Sequence, residues 1–285
     1  MGFSRIKAYF ELTKPGVTRL VLLTTLSGAV IAPGNVDWAK ILVVLLGTGF
    51  VVGSANALNM YLERDSDAKM ERTRARPLPS GRLRPRSALL FGISLGALGV
   101  VVLLLGADPV TAGLALAAHV LYVFVYTPLK PITPFALHIG GIAGAVPPVI
   151  GWSSMTGRVD LGAVSLFTIL FVWQLPHFLA IAIFRQSEYQ RANIMVFPLV
   201  EGVARTKRAI AIYCLALIVA SLWPTQVNLA GRGYLVIAVV LGLTLFVWSL
   251  FGLRERSGAR WARSLFLASL PYLVLIYGSL VVSSP

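Results

Sequence analysis

Charge is scarce in this chain. Asp, Glu, Lys and Arg make up 13% of its 285 residues, against about 25% in an ordinary soluble domain. A soluble globule of this length exposes more charge than that, so that class is excluded. Cysteine is reduced to Cys214, and one thiol forms no intrachain disulfide, so no oxidised scaffold is expected. One Cys and three His also give no zinc or iron–sulfur pattern, and no Gly-rich phosphate loop of the soluble nucleotide-binding kinds is present. The opening stretch MGFSRIKAYFELTKPG carries scattered charge and lacks the apolar core and small-residue cleavage site of a secretory signal.

Apolar residue is abundant. It reaches 57% of the chain, which excludes disorder, and it is gathered into runs near 17–33, 39–61, 87–106, 109–126, 135–153, 162–184, 208–223, 233–253 and 264–282. A bilayer-spanning helix needs about 20 mainly apolar residues. These runs are too long for strands and do not alternate. The expected fold class is therefore all-α: a polytopic membrane protein of about nine transmembrane helices in one bundle around a central cavity. No linker is long enough to divide residues 1–285 into two domains. Pro147 and Pro148 should kink or break the fifth run.

The basic residues support this map. With the N-terminus in the cytoplasm, all 25 Lys and Arg except Lys40, Arg158 and Arg232 fall on the cytoplasmic side, as the positive-inside rule demands. The cytoplasmic loops are then about 62–86, 127–134, 185–207 and 254–263. The net charge of +14 reads as topology, and no nucleic acid is expected as a partner. The expected setting is an integral membrane protein, its N-terminus and charged loops on the cytoplasmic side of a bacterial inner membrane.

Topology does not explain the acids. Four of the 11, Glu63, Asp65, Asp67 and Glu71, crowd into NMYLERDSDAKMERTRARPLPSG. If the second run continues inward as helix, Asn59, Glu63 and Asp67 recur every four residues and share a face. Asp65 lies across the helix from them and is expected to organise arginines or a second metal. Grouped carboxylates repel one another unless something positive joins them, and oxygen-only ligands suit Mg²⁺ when phosphate shares the site. Arg72, Arg74 and Arg76 follow, and guanidinium forks bind phosphate oxygens. The competing reading is a solvated loop whose acids pair with these arginines.

A second polar face lies in FVWQLPHFLAIAIFRQSEYQRANI. Gln174, His177, Arg185 and Glu188 fall near one side of a helix, and intramembrane polar groups are functional candidates by default. Glu188 can add a carboxylate to bound Mg²⁺ and Arg185 can bind phosphate. An interfacial anchor of Arg185 and Tyr189 is the plainer alternative. His119, His138 and His177 all lie in or near apolar runs, where packing is the usual role. A neutral imidazole also ligates haem iron, and His177 is the best placed of the three. Lys130, in YTPLKPIT, is either a topology marker or a point charge on phosphate.

Taken together, these segments resemble the intramembrane prenyltransferases of the UbiA superfamily. Its first motif is an Asn, acids four and eight residues later, then RTxxRP; here it reads Asn59, Glu63, Asp67, Arg72, Thr73, Arg76 and Pro77. Asp65, YTPLK, GGIAGAVPPVIGW, PHFLAIAIFR and EYQRANI resemble the haem-farnesylating branch, over residues 14 to 205. The chain departs from the branch at Pro131, Ala136 and Leu175, and has Glu188 where the branch has Asp.

The resemblance implies an enzyme that moves a farnesyl group from farnesyl diphosphate to a vinyl group of haem B. Water adds, haem O forms and diphosphate leaves. It implies Mg²⁺ on Asn59, Glu63, Asp67 and Glu188, diphosphate on Arg72, Arg76, Lys130 and Arg185, and haem near His177, Tyr126 and Trp173. Asn59, Glu63, Asp67, Lys130 and Glu188 are then the catalytic set. Tyr126 and Trp173 are also candidates to stabilise an allylic cation. Three alternatives stay open: a quinone precursor or chlorin as acceptor, an ion transporter using the acids as a cation site, and a haem-binding assembly factor without catalysis. Protein partners are not readable from the sequence.

Overall fold

The computed structural model describes residues 2–283. Its helices, in chain order, are α1 (Gly2–Leu12), α2 (Pro15–Ile31), α3 (Trp38–Leu62), α4 (Arg64–Asp67), α5 (Pro85–Gly106), α6 (Pro109–Val120), α7 (Thr127–Leu129), α8 (Ala136–Ala145), α9 (Pro147–Thr156), α10 (Leu161–Phe184), α11 (Gln186–Arg191), α12 (Phe197–Val200), α13 (Val203–Gln226), α14 (Arg232–Phe251) and α15 (Ala259–Ser283). A π-helical segment, Leu121–Tyr126, joins α6 to α7 in one rod. No strand occurs among the described residues. In lipid every backbone polar group must be satisfied within its own segment, and helices do that.

Each of the nine apolar runs is helical. Among the described residues seven rods are long and apolar enough to cross a membrane: α3, α5, α6 through α7, α10, α13, α14 and α15. The other two are α2, of 17 residues, and the pair α8–α9, which breaks at Val146. Pro147 and Pro148 have no N–H to continue the ladder across that break. The structure shortens several expected loops. Residues 64–67, 186–191 and 197–200 are helical, and α13 and α15 begin at Val203 and Ala259. Hydropathy marks only the apolar part of a helix, whereas the hydrogen-bond ladder runs on into charged turns.

Three acids that the sequence left unassigned terminate helices. Asp37 accepts the amide of Lys40 at 3.0 Å, Asp108 that of Thr111 at 2.9 Å, and Asp160 those of Gly162 and Ala163 at 3.1 and 3.4 Å. These N-caps start α3, α6 and α10 at the end of the bundle opposite the acid cluster.

Helix α10 is central, with 67% of its most apolar stretch buried inside the protein, against 22% for α5. Its Leu166, Ile169 and Leu179 meet Leu217 of α13 and Leu273 and Ile276 of α15 in the largest core cluster. Helices α2 and α9 touch backbone to backbone. A Cβ on Gly28 would overlap the main chain of Pro148, and one on Gly151 the carbonyl of Thr25, so small residues there set the helix spacing. A smaller cluster of Ala8, Leu12, Ala57, Met60, Leu78, Leu83 and Ala88 packs α1 and the 68–84 loop against α3 and α5. The start of α2 and the ends of α3, α7 and α10 meet at one rim of the bundle, and the charged residues converge there.

Candidate active site

Helix α3 ends at Leu62, one residue before the first acid, so the helix does not run straight through the motif. Its register survives: the Glu63 amide reaches the Asn59 carbonyl at 2.9 Å, and the Asp67 amide reaches the Glu63 carbonyl at 2.7 Å. Asn59, Glu63 and Asp67 therefore still reach one polar chamber of about 270 Å³. Arg72, Arg76, Lys130 and Tyr189 also line it.

Two ion pairs organise the chamber. Lys130 Nζ stands 2.6 Å from Glu63 Oε1, and Arg76 Nη1 stands 2.7 Å from Asp67 Oδ2. Asp67 is 1% exposed and its Oδ1 has no partner. The hydroxyl of Thr73, itself fully buried, donates to the Asp67 carbonyl at 2.7 Å and pins the turn that carries Arg72 and Arg76. Burial pushes the Glu63 carboxyl up, but the ammonium groups of Lys130 and Lys14 outweigh it and hold the carboxyl below its usual range. For Lys130 burial acts downward, and Tyr126 and Glu63 overcome it to hold the ammonium well above its usual value.

Sequence reasoning missed Lys14 as a site residue, counting it only as a topology marker. It sits between α1 and α2 with φ at 47°, in the left-handed region that lysine rarely adopts. That conformation turns the chain so that Nζ donates to Asn59 Oδ1 at 2.7 Å. The same Asn59 amide donates to Thr127 Oγ1 at 3.1 Å, so the side chain is fully buried and oriented from both ends. Burial, reinforced by the Arg76 charge, pushes the Lys14 ammonium down to about 7. The signal was present in the sequence: a lysine before Pro15 at the start of an apolar run.

The second polar face divides. Arg185 Nη1 pairs with Glu188 Oε1 at 2.6 Å. Neither side chain is among those lining the polar chamber, although Tyr189 beside them is. Glu188 is buried and its Oε2 has no partner. Asp65 is 85% exposed and lies 3.8 Å from Arg64.

Gln174, Trp173 and His177 open on another cavity, of about 410 Å³, whose wall is mostly apolar: Leu20, Val21, Val51, Val52 and Ile150 contribute. His119 lines it as well. Val17, Tyr126 and Phe178 line both chambers. Tyr126 holds the Lys130 ammonium over its ring, 4.5 Å from the centroid. The π-helical segment that ends at Tyr126 widens the helix by one residue, with the Thr127 amide bonded to the Tyr122 carbonyl. Such turns recur at functional sites.

The donor set suits a hard cation. Asp67 Oδ1 and Glu188 Oε2 are buried carboxylate oxygens without partners, and an unpartnered buried acceptor is costly. Among the described residues no three His, Cys, Asp or Glu side chains cluster tightly enough to hold a metal alone. Mg²⁺ does not need three. It is commonly held by one or two carboxylates together with substrate phosphates.

By the seven helices among the described residues that are long and apolar enough to cross a bilayer, the protein is an integral membrane protein. It is 47% identical over 272 residues to the protoheme IX farnesyltransferase of Myxococcus xanthus, covering 95% of this chain and 92% of that one. Among solved structures, a digeranylgeranylglyceryl phosphate synthase superposes with a TM-score of 0.82 at 17% identity, covering 98% of each chain. A UbiA homolog from Archaeoglobus fulgidus, bound to GPP and Mg²⁺, gives 0.70 at 14% identity, over 96% of this chain and 99% of that one. At such identities the structures speak for the fold alone. The UbiA prenyltransferase family matches residues 21–270, which hold the acids of the polar chamber and both histidines of the apolar one. By that match and by its curated relative, the chain belongs to the UbiA prenyltransferase family.

Proposed function

We propose that this protein transfers a farnesyl group from farnesyl diphosphate to a vinyl group of haem B, with addition of water, releasing diphosphate and forming haem O. One observation carries the reading: a polar chamber of paired acids and cations shares a wall with an apolar chamber lined by two histidines. The substrate pair comes from the protoheme IX farnesyltransferases that the chain is similar to.

Asn59, Glu63, Asp67 and Glu188 would hold Mg²⁺. When bound, it neutralises charge building on the departing diphosphate. The protein's own cations do the rest. Each acid in the chamber is paired with a cation, Glu63 with Lys130 and Asp67 with Arg76. With the substrate bound, Glu63 and Asp67 would be free to serve the metal, and Lys130, Arg76, Arg72 and Lys14, which line the same chamber, would bind phosphate oxygens. Arg185, freed from Glu188, adds a further guanidinium. Positive groups fixed in place before ionisation stabilise the leaving group without reorganisation.

The farnesyl tail lies along the apolar wall, and Tyr126 and Trp173 offer their faces to the allylic cation. The buried chamber keeps bulk water from the cation until the vinyl carbon attacks it. Water then adds to the cation left on the vinyl group and loses a proton, which completes the hydroxyethylfarnesyl side chain. A bacterial inner membrane with this rim facing the cytoplasm completes the reading, and the bias of basic residues to the links at this end supports that orientation.

The test incubates purified protein with haem B, farnesyl diphosphate and Mg²⁺ and weighs the porphyrin product. A product heavier by one farnesyl group and one hydroxyl group is expected. EDTA should stop its formation and added Mg²⁺ should restore it. Unchanged haem B, with a quinone precursor prenylated in its place, overturns the choice of acceptor. Turnover that survives EDTA overturns the metal.

A further inference from the structure

Two of the three histidines, His119 and His177, line the apolar chamber. His138 does not: its Nε2 meets the Tyr213 hydroxyl at 2.9 Å, and its Nδ1 is sealed in the protein without a partner. His177 follows Pro176 on α10 and is 7% exposed. Its ring is held between Trp173, stacked at 4.6 Å, and Phe266 of α15, at 4.7 Å.

The protonation of that ring follows from its neighbour. His177 Nδ1 lies 2.7 Å from Ser269 Oγ of α15. A serine hydroxyl has one hydrogen. Ser269 Oγ also lies 2.7 Å from the carbonyl of Phe266, which can only accept. The hydrogen is committed there, since otherwise two oxygens would face each other with no proton between them. Ser269 therefore offers a lone pair to the imidazole, and Nδ1 carries the ring proton. In the neutral ring Nε2 is then the bare nitrogen. No hydrogen bond reaches it, and unlike His138 Nδ1 it is not sealed off. Ser269 is held in turn, because its carbonyl accepts the Trp173 indole N–H at 2.7 Å.

A bare Nε2 in an apolar chamber, with Nδ1–H donating to a fixed acceptor, is the arrangement of a metal-ligating histidine. We propose that His177 Nε2 is the axial ligand to the iron of an iron porphyrin bound in the apolar chamber, and that Ser269 is the positioning residue that sets its tautomer. This rests on haem as the acceptor. His119 is the weaker candidate. Its Nε2 meets Ser54 Oγ at 2.9 Å, and the Ser54 hydrogen goes to the Gly92 carbonyl at 2.6 Å. That leaves only Nδ1, the nitrogen crowded by its own Cβ.

The test titrates ferric haem B into the purified full-length protein in detergent, without prenyl diphosphate, and follows the Soret band and the low-temperature EPR spectrum. Wild type should give an imidazole-ligated spectrum. His177→Ala should lose it and regain it when free imidazole is added. Ser269→Ala should weaken haem binding by about tenfold or more, and Ser269→Thr, which keeps the hydroxyl, should restore most of it. Each variant should elute as wild type does on size-exclusion chromatography, which shows that it is folded. If His177→Ala keeps the wild-type spectrum, or His119→Ala is the variant that loses it, the ligand assignment is wrong. If His177→Ala loses the spectrum while Ser269→Ala matches wild type, the ligand stands and the role of Ser269 falls. If wild type itself binds no haem, the proposed acceptor fails and this inference fails with it.

Discussion

The two chambers meet at Tyr126 and are held by opposite means. The polar one is fixed by charge: Glu63 against Lys130, Asp67 against Arg76, and Asn59 between Lys14 and Thr127. The apolar one is fixed by close packing, with small residues admitting the helices and neutral hydrogen bonds such as that of His177 to Ser269 orienting the few polar groups. Charges at such a rim compensate one another and can trade partners when a charged substrate arrives. A packed apolar wall has no partners to trade, and it responds to added volume. The polar chamber should therefore be most sensitive to loss of charge, and the apolar chamber to a single extra carbon.

The largest effect is expected at Asp67. Its carboxylate is buried, holds Arg76 and keeps one oxygen unpartnered. Asp67→Ala should lower turnover by about 10³-fold, the scale seen when one preorganised charge-stabilising group is removed. Membrane insertion should survive, because α3 ends before this residue. A product assay beside size-exclusion chromatography separates the two. An inserted Asp67→Ala protein with full turnover would remove the acids from the chemistry. Lys130→Met comes next, at about 10²-fold. It takes away a positive charge of the polar chamber and leaves Glu63 without its ion-pair partner. Lys130→Arg should recover part of the loss, and an equal loss in both variants would mean that shape governs this position.

Gly140→Ala probes the shared wall. An added Cβ would stand 2.6 Å from a ring carbon of Tyr126, so the ring has to move. Tyr126 lines both chambers and sits under the Lys130 ammonium, so a shift should reach both. Turnover should fall by about tenfold, with weaker binding of both substrates. If only one substrate binds more weakly, the chambers are less tightly joined than the common wall implies.

Much of the fold was legible because lipid imposes it. Each apolar run had to become helix, and each did. The first motif was legible for a local reason: hydrogen bonding from Asn59 to Glu63 to Asp67 keeps a four-residue register even where α3 ends. Contacts distant in sequence were not legible. Lys14 and Asn59 are brought together only when α1, α2 and α3 pack, and a backbone with φ at 47° is not written in a lysine. Nor could the sequence foretell that the Arg185–Glu188 pair would sit beside the chamber instead of lining it. Helical periodicity places residues on a face and says nothing of where that face ends up. The serine that sets the state of His177 lies 92 positions away, on another helix.

The smallest effect is expected where the polar chamber is supported from outside. Arg82 gives one nitrogen to Glu11 of α1 at 2.6 Å and to the Ala75 carbonyl at 2.7 Å, and its Nε to Ser80 at 3.1 Å. It thus ties the loop bearing Arg72 and Arg76 to the helix that leads into Lys14. Below it, Leu78 and Leu83 pack against Ala8 and Leu12. The hydrogen bond from Arg82 holds the Glu11 carboxyl below its usual value, so the tie is complete at neutral pH and is lost only as acid protonates that carboxyl. Both side chains are partly exposed, and pairs of that kind contribute about 0.2 to 1 kcal/mol. Glu11→Gln and Arg82→Gln should each raise the KM for the prenyl diphosphate by no more than about fivefold, with kcat nearly constant. The double variant should cost less than the product of the two. Fully multiplicative losses would mean that the two side chains act independently, and no loss in either variant would assign the loop's position to Leu78 and Leu83 alone, so that packing would govern the polar chamber's support as it governs the apolar chamber's wall.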